Sequence, residues 1–291
     1  MNRVRVLSLM SSLLLVAAPL SAQIIVVNGT GTPYTAPGTG TNNPTCAGQF
    51  DKWCAYDVRD NASVGQTTAN PRSGNGSLAF SSPVGDGTGK AKADFDYLFS
   101  PANQFKIKDI QSMSYDWFRN TSSTNNAVQV PALRLIVEGP SAAYVDQLVF
   151  EPTYQPGGTT PAGSWQTSLI STGSYFWWNK DCQNRFGPGP DYAVSLATWG
   201  VGHSTTSGPG CTSAIADNAK VLGFSVGVGS GWNGQFDGAV DNISFRLKNQ
   251  EIATTYNFEV ASTVPEPSTY ALMIAGLAAV GFAARRRRNN A

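Results

Sequence analysis

Polar and apolar positions alternate with a period of two over four stretches of this chain. The apolar positions are Ala93, Phe95, Tyr97 and Phe99; Met113, Tyr115 and Trp117; Leu133, Leu135 and Val137; and Leu222, Phe224, Val226 and Val228. Successive side chains of a β-strand point to opposite faces, so this period predicts strands with one buried face. Clusters rich in Gly, Pro, Asn and Ser predict turns at 71–76, 85–87, 156–158 and 187–190. No long apolar pattern of helical period precedes the C-terminal tail, and we predict an all-β fold, a single jelly-roll-like β-sandwich.

The first 22 residues have the pattern of a secretory signal peptide. Arg3 and Arg5 precede an apolar run from Val6 to Ala18, and the small residues Ser21 and Ala22 follow. We expect cleavage near Ala22 and exclude residues 1–22 from the fold.

The chain's last residues combine a short motif, an apolar run and a basic end. Val264, Pro265, Glu266 and Pro267 precede 16 uncharged residues at 269–284, and Arg285, Arg286, Arg287 and Arg288 follow. The run is shorter than the roughly 20 residues of a typical membrane span. Its polar and basic flanks nevertheless predict a transmembrane helix, with the four arginines as a cytoplasmic anchor.

These three elements, in this order, resemble the PEP-CTERM sorting signal of Gram-negative bacteria, and the resemblance covers residues 264–291. It implies that exosortase, a membrane-embedded enzyme with a cysteine nucleophile, recognises the tail and cuts near the motif. The protein would then cross the inner membrane, be held there transiently by the C-terminal helix, and end at the cell surface or outside the cell. A simple tail anchor would account for the helix and the arginines but not for the motif.

Charge and length narrow the function of the region between the two terminal segments. Of 20 basic residues, two precede residue 23 and four follow residue 284, whereas Glu266 is the one acidic residue of 19 beyond residue 264. The 14 basic and 18 acidic residues that remain give a net charge of about −4, which argues against nucleic acid as a partner. Residues 23–263 suit one β-sandwich domain.

The four cysteines of an exported chain predict two disulfides. Three pairings are open, and we favour the local one, Cys46–Cys54 and Cys182–Cys211. A metal site is a poorer alternative, because the chain has one histidine and no Cys-x-x-Cys motif.

Two segments are similar to strands of concanavalin-like or carbohydrate-binding jelly rolls, namely 74–80 (GNGSLAF) and 231–243 (GWNGQFDGAVDNI). Within the second, alternation places Asp241 on the row of Ile243 and Phe245, facing the core, where a carboxylate needs a partner. Turn amides, a basic side chain, or structural calcium held with Asp237 would each supply one. We expect no other cofactor.

No catalytic set is recognisable in the sequence. A Ser-His-Asp triad would have to use His203. The one Gly-x-Ser-x-Gly match, residues 223–227 (GFSVG), lies inside a predicted strand and not at a strand-to-helix turn, so no nucleophile elbow is recognisable. Glu138, Asp146 and Glu151 are candidates for glycoside hydrolysis, but they form no closely spaced acid cluster. Enzyme activity is therefore unsupported.

Aromatic residues favour a binding function. Tyr175, Phe176, Trp177 and Trp178 are consecutive, and Trp199 and Trp232 lie near predicted loops. Indole and phenol rings stack on sugar rings, which makes Trp177, Trp178, Trp199 and Trp232 candidate sugar-binding residues. In a strand, Tyr175 and Trp177 would face one way, while Phe176 and Trp178 would face the other. One pair then belongs to the core, and the other is either a ligand platform or covered.

Three functions follow from these patterns. The first is an exported surface or matrix protein whose non-catalytic sandwich binds exopolysaccharide. The second is a purely structural or adhesive surface protein, and the third is a secreted polysaccharide hydrolase or lyase.

Overall fold

A computed structural model describes residues 22–35, 48–83, 90–139, 145–180, 191–206, 212–261, 272–280 and 285–286. The segments 1–21 and 262–271 lie outside the described residues, as do Cys46, Cys182 and Cys211. The predicted signal-peptide cleavage and both disulfides therefore stay predictions. Cys54 lies in a strand and is buried.

The described part of the chain consists mainly of β-strands. The strands are β1 Gln23–Gly29, β2 Tyr34–Thr35, β3 Trp53–Arg59, β4 Ser63–Thr67, β5 Ser77–Ser82, β6 Lys92–Leu98, β7 Phe105–Lys106, β8 Ile110–Arg119, β9 Ala132–Glu138, β10 Val145–Phe150, β11 Trp165–Ser171, β12 Trp177–Trp178, β13 His203–Thr206, β14 Thr212–Ile215, β15 Lys220–Gly229, β16 Phe236–Leu247 and β17 Thr254–Val260. Single-turn 3₁₀ helices cover Ile107–Asp109 and Pro152–Tyr154, and a short α-helix covers Leu196–Gly200. In the tail, residues 272–280 are helical.

Strand β16 is the centre of the first sheet, here called sheet I. One side of β16 pairs antiparallel with β8, which in turn pairs with β11. The other side divides: β5 pairs with residues 236–240 of β16, and β17 pairs with residues 243–245. The sheet continues from β5 to β4 and β2, and from β17 to β1, which runs parallel to β17. The two segments with jelly-roll resemblance are thus neighbouring strands, β5 and β16.

The second sheet, sheet II, has the order β12-β10-β9-β15-β6-β3, and β7 also pairs with β15. Aromatic rings of the two sheets meet between them. Phe224 of sheet II lies 5.1 Å from Phe245 of sheet I, Phe150 lies 6.1 Å from Tyr115, and Phe95 lies 5.9 Å from Phe258, measured between ring centroids. The prediction of an all-β sandwich is confirmed.

The outer face of sheet II departs from the expected alternation, because charged side chains are buried there. Asp94 is 0% exposed, and Asp96 and Arg134 are also buried. Arg134 Nη1 and Lys92 Nζ each lie 2.7 Å from a carboxylate oxygen of Asp94. A Cβ at Gly227 would come within 2.0 Å of Asp94 Oδ1, so the missing side chain leaves room for the ion pair between strands β6 and β9. At Asp94, Asp96 and Arg134, a polar position in the alternation is therefore buried and not exposed to solvent.

Candidate functional site

The strand pair β10–β12 positions the aromatic residues of the candidate site. Val149 pairs with Trp177, and Leu148 pairs with Trp178, in antiparallel register. Neighbouring side chains of a strand point to opposite faces. Phe176 and Trp178 are accordingly in the core, each 1% exposed, whereas Tyr175 and Trp177 lie on the outside and are half-buried.

The indole of Trp177 is fixed by a carboxylate. Its Nε1 donates a hydrogen bond of 2.8 Å to Oε2 of Glu151, the residue that follows strand β10. Burial raises the pKa of Glu151, while the hydrogen bond from Trp177 and the charge of Arg134 act in the opposite direction. The site therefore has a carboxyl group directly beside an aromatic ring.

Two tyrosines complete the aromatic surface around Trp177. The ring of Tyr192 meets that of Trp177 edge-on, with centroids 5.9 Å apart. Tyr154 stacks on Tyr192 with centroids 3.9 Å apart and an angle of 25° between the rings. Tyr154 is 38% exposed and Tyr192 is 36% exposed. We call Trp177, Tyr154 and Tyr192 the aromatic platform.

Backbone contacts hold the parts of the aromatic platform together. The side-chain oxygen of Gln155 accepts a hydrogen bond from the backbone amide of Tyr175, and the side-chain nitrogen of Gln155 donates one to the Tyr175 carbonyl. Both bonds are 2.9 Å long. These bonds tie the 3₁₀ helix that carries Tyr154 to the segment that carries Trp177. The Phe176 amide donates a hydrogen bond of 2.9 Å to the Val194 carbonyl. This bond places the segment that carries Tyr192 beside the segment that carries Trp177. These contacts hold the segments that carry the three rings in fixed positions relative to one another.

Burial of Tyr154 and its hydrogen bond with Tyr192 raise the pKa of the Tyr154 hydroxyl. This hydroxyl is therefore protonated at neutral pH and can both donate and accept hydrogen bonds. Flat apolar faces beside the neutral Tyr154 hydroxyl and one carboxyl group suit a polyhydroxylated ligand better than an apolar one.

The other predicted sugar-binding tryptophans lie elsewhere. Trp178 and Trp199 are each 1% exposed, and their rings meet edge-on in the core at 6.2 Å. Trp199 Nε1 donates to the Phe176 carbonyl at 2.9 Å. Trp232 packs against Phe236, with centroids 5.3 Å apart. Because buried rings present no face to solvent, Trp178 and Trp199 are not part of the platform; they support it from beneath.

Asp241, one of the two predicted calcium ligands, is 0% exposed. Its Oδ1 accepts hydrogen bonds from the amides of Asn242 at 2.8 Å and Phe258 at 2.9 Å, and its Oδ2 accepts one from the amide of Ser73 at 3.2 Å. Backbone amides thus satisfy this carboxylate.

Asp237, the other predicted calcium ligand, accepts a hydrogen bond from the side chain of Gln235. Within the described residues, no group of three or more His, Cys, Asp or Glu side chains is arranged to hold a metal ion. Structural calcium therefore stays a prediction without further support.

His203 begins strand β13, and its ring lies edge-on against Trp199 with centroids 4.7 Å apart. Here the chain forms a two-stranded ribbon, β13–β14, packed beside the short α-helix.

Sequence reasoning missed three parts of the site: Tyr154, Tyr192 and the role of Glu151. Tyr154 and Tyr192 are 38 residues apart along the chain and lie in no alternating stretch. Tyr154 follows strand β10, and Tyr192 lies in a turn before the short α-helix, so no local pattern in the sequence pointed to either residue. The pairing of β10 with β12 and the backbone contact of Phe176 with Val194 bring these residues together.

A comparison with protein families identifies the tail. Residues 263–288 match the family of the PEP-CTERM protein-sorting motif. The match includes Pro265, Glu266 and Pro267, which lie outside the described residues, and Arg285 and Arg286, which are helical and exposed. The motif supports an exported protein that exosortase processes, with a transient C-terminal membrane anchor before display at the cell surface.

A search of curated proteins found no match for the chain. Among the described helices, none has both the length and the apolar character needed to span a membrane.

Proposed function

We propose that this exported protein binds exopolysaccharide outside the cell through the aromatic platform, without catalysis. The observation that carries the proposal is the set of three contacting rings, Trp177, Tyr192 and Tyr154, at the surface of the sandwich beside Glu151. Ring stacking and hydroxyl hydrogen bonds are the interactions by which proteins hold sugars.

The proposal is supported by the difference between the two faces of the segment around β12, one of which is buried while the other faces outward. The side chains of Phe176 and Trp178 fill the core. The stability of the sandwich therefore depends less on the rings of the aromatic platform than on these two buried rings. The rings of Tyr154 and Tyr192 keep more than a third of their surface exposed. Aromatic rings held together at a surface favour a ligand over a purely internal role.

A binding experiment tests this proposal with the exported protein. Trp177→Ala and Tyr192→Ala are compared with the unchanged protein for binding to a panel of neutral and acidic polysaccharides. Each substitution should raise the Kd of any bound polysaccharide at least tenfold, which corresponds to about 1.4 kcal/mol. Trp165→Ala is the matched control, because Trp165 is a half-buried tryptophan of sheet I that contacts Phe118; it should leave the Kd unchanged.

The same experiment separates the alternatives. Absence of binding across the panel would overturn the proposal in favour of a purely structural or adhesive protein. After incubation with a polysaccharide, new reducing ends without unsaturation would replace the proposal by a hydrolase. New reducing ends together with unsaturated non-reducing ends would replace it by a lyase.

A further inference from the structure

Strand β1 forms an open edge of sheet I. All seven of its residues, Gln23–Gly29, pair in parallel with β17, and within the described residues no strand pairs with its other side. Alternate N–H and C=O groups of such a strand point away from its one partner. They form a template for one more strand.

Three features that protect many edge strands, namely charge, proline and a bulge, are missing from β1 itself. Its sequence, QIIVVNG, has no charged residue and no proline, and its pairing with β17 has no bulge. Ile24 is 64% exposed, Ile25 is 37% exposed and Val26 is 51% exposed. Uncharged β-branched segments of this kind associate readily with other strands.

An apolar groove continues from β1 towards sheet II. Ile25 and Val27 line it together with Trp53, Tyr97 and Tyr256. The rings of Tyr97 and Tyr256 each lie within 5.4 Å of that of Trp53. The strand edge and the groove therefore form one surface that accepts both backbone hydrogen bonds and apolar side chains.

We propose that β1 pairs antiparallel with β1 of a second copy of this chain, so that sheet I becomes continuous across a two-fold axis. Full overlap of the seven residues places Val26, the middle residue, opposite Val26 of the other copy. An uncharged strand faces itself without repulsion. In a two-fold contact each copy presents the same patch. The groove also contains the neighbouring opposite charges Asp51 and Lys52, so Asp51 of each copy can form an ion pair with Lys52 of the other.

This assembly is independent of polysaccharide binding. The aromatic platform lies beside β10 and β12 in sheet II, whereas β1 lies at an end of sheet I. Failure of either proposal leaves the other intact.

Cysteine cross-linking tests the two-fold pairing directly. Directly opposed residues of antiparallel strands have Cβ atoms about 4.5–5.5 Å apart, near the range in which a disulfide forms. The full chain with Val26→Cys is expressed in cells that export it, and the exported protein is analysed on a non-reducing gel. We expect a band of twice the mass that disappears on reduction.

Leu169→Cys is the matched control. Leu169 is 79% exposed and lies on β11, another edge of sheet I, so it is equally available for random cross-linking. This variant and the unchanged protein should give no such band. A monomer with Val26→Cys, or equal cross-linking of both cysteine variants, would overturn the proposal.

Sedimentation of the exported protein gives a second measurement that needs no cross-link. The unchanged protein and Val26→Thr should sediment as dimers, whereas Val26→Lys should raise the dimer Kd at least tenfold because it opposes two charges. Circular dichroism checks that Val26→Lys is folded, as expected for a half-exposed position. A Val26→Lys protein that remains dimeric, or an unchanged protein that is monomeric, would refute β1 pairing.

Discussion

Asp96 shows how the environment of one residue differs from what its sequence position suggests. It is a polar position in the alternation of β6, yet it is 3% exposed. Within the described structure its Oδ1 accepts no hydrogen bond. Burial and the nearby carboxylate of Asp94 raise the pKa of Asp96 from 3.8 to about 7, so this side chain is neutral in mildly acidic conditions.

The raised pKa of Asp96 predicts how stability depends on pH. Between about pH 4 and pH 7 the folded protein retains a proton that the unfolded chain has released, so the free energy of unfolding falls as pH rises and levels off above pH 7. Asp96→Asn carries no charge and should remove this part of the fall. At pH 8 the variant should be more stable than the unchanged protein, by about 2–4 kcal/mol. Urea unfolding at pH 4, 5, 6, 7 and 8 measures both effects.

Asp51→Asn is the control for the pH experiment. Hydrogen bonds from Ser100 lower the pKa of Asp51, so the stability that this residue contributes is present above its unfolded pKa and is lost only as pH falls below about 4. The control should therefore leave the slope between pH 5 and pH 7 unchanged. Equal slopes in Asp96→Asn and the unchanged protein would contradict the assignment.

At the scale of elements, the division of β16 between two neighbouring strands is the main departure from a simple sheet. The pairing of β16 with β8 shifts register between Asp241 and Ser244, and Asn242 has φ of 50°. Here β5 ends its pairing and β17 begins. At this point the Asp241 carboxylate accepts hydrogen bonds from the amide of its neighbour Asn242 and from the amides of Ser73 and Phe258, so it joins two distant segments to β16.

Removing this carboxylate should destabilise the sandwich strongly. Asp241→Ala leaves three backbone amides without their acceptor, that of Phe258 in the core and those of Ser73 and Asn242 half-buried, and the expected loss is about 3–5 kcal/mol in the free energy of unfolding. Asp241→Asn keeps one acceptor oxygen and should cost less. Asp237→Asn, four residues away on the same strand, should change stability by about 0.5 kcal/mol or less. Chemical unfolding at pH 7.5 compares the three, and a loss below about 1 kcal/mol for Asp241→Ala would show that the junction does not depend on this residue.

Several strands could be predicted because their signal is local. The alternations around Phe95, Tyr115, Leu135 and Phe224 correspond to β6, β8, β9 and β15. The face of Asp241 could not be read in the same way, because the bulge interrupts the alternation: Val240 and Ile243 both belong to the core. An irregularity of one residue depends on how partner strands meet, which no short window of sequence contains.

At the scale of the whole molecule, the sorting tail and the sandwich have separate roles. The tail directs export and processing, and residues 263–288 match the PEP-CTERM protein-sorting motif. The aromatic platform and the β1 edge belong to the sandwich, which the motif match does not cover. The sorting signal could therefore be recognised from the sequence without knowledge of the fold.

The sorting motif gives the prediction at this scale. Replacing Pro265, Glu266 and Pro267 with alanine should leave an uncut precursor in the membrane, because the determinant for processing is lost while the apolar run and arginines remain. Intact-mass measurement and membrane fractionation detect this change. Ser262→Ala, just outside the matched residues, should be processed normally. An unchanged mature mass and normal release of the triple variant would refute the role of the motif.

The sequence by itself determined the β class and the sorting address, because both rest on residues that are close together along the chain. A period of two follows from the geometry of a single strand, and the motif, apolar run and arginines are contiguous. Only the tertiary structure decided that Trp177 is at the surface while Trp178 and Trp199 are in the core. It also decided that Tyr154 stacks on Tyr192, that Asp96 is buried, and that β1 is left as an open edge. Each of these depends on which distant strand packs against a residue, and burial is a property of that packing rather than of the residue's neighbours in sequence.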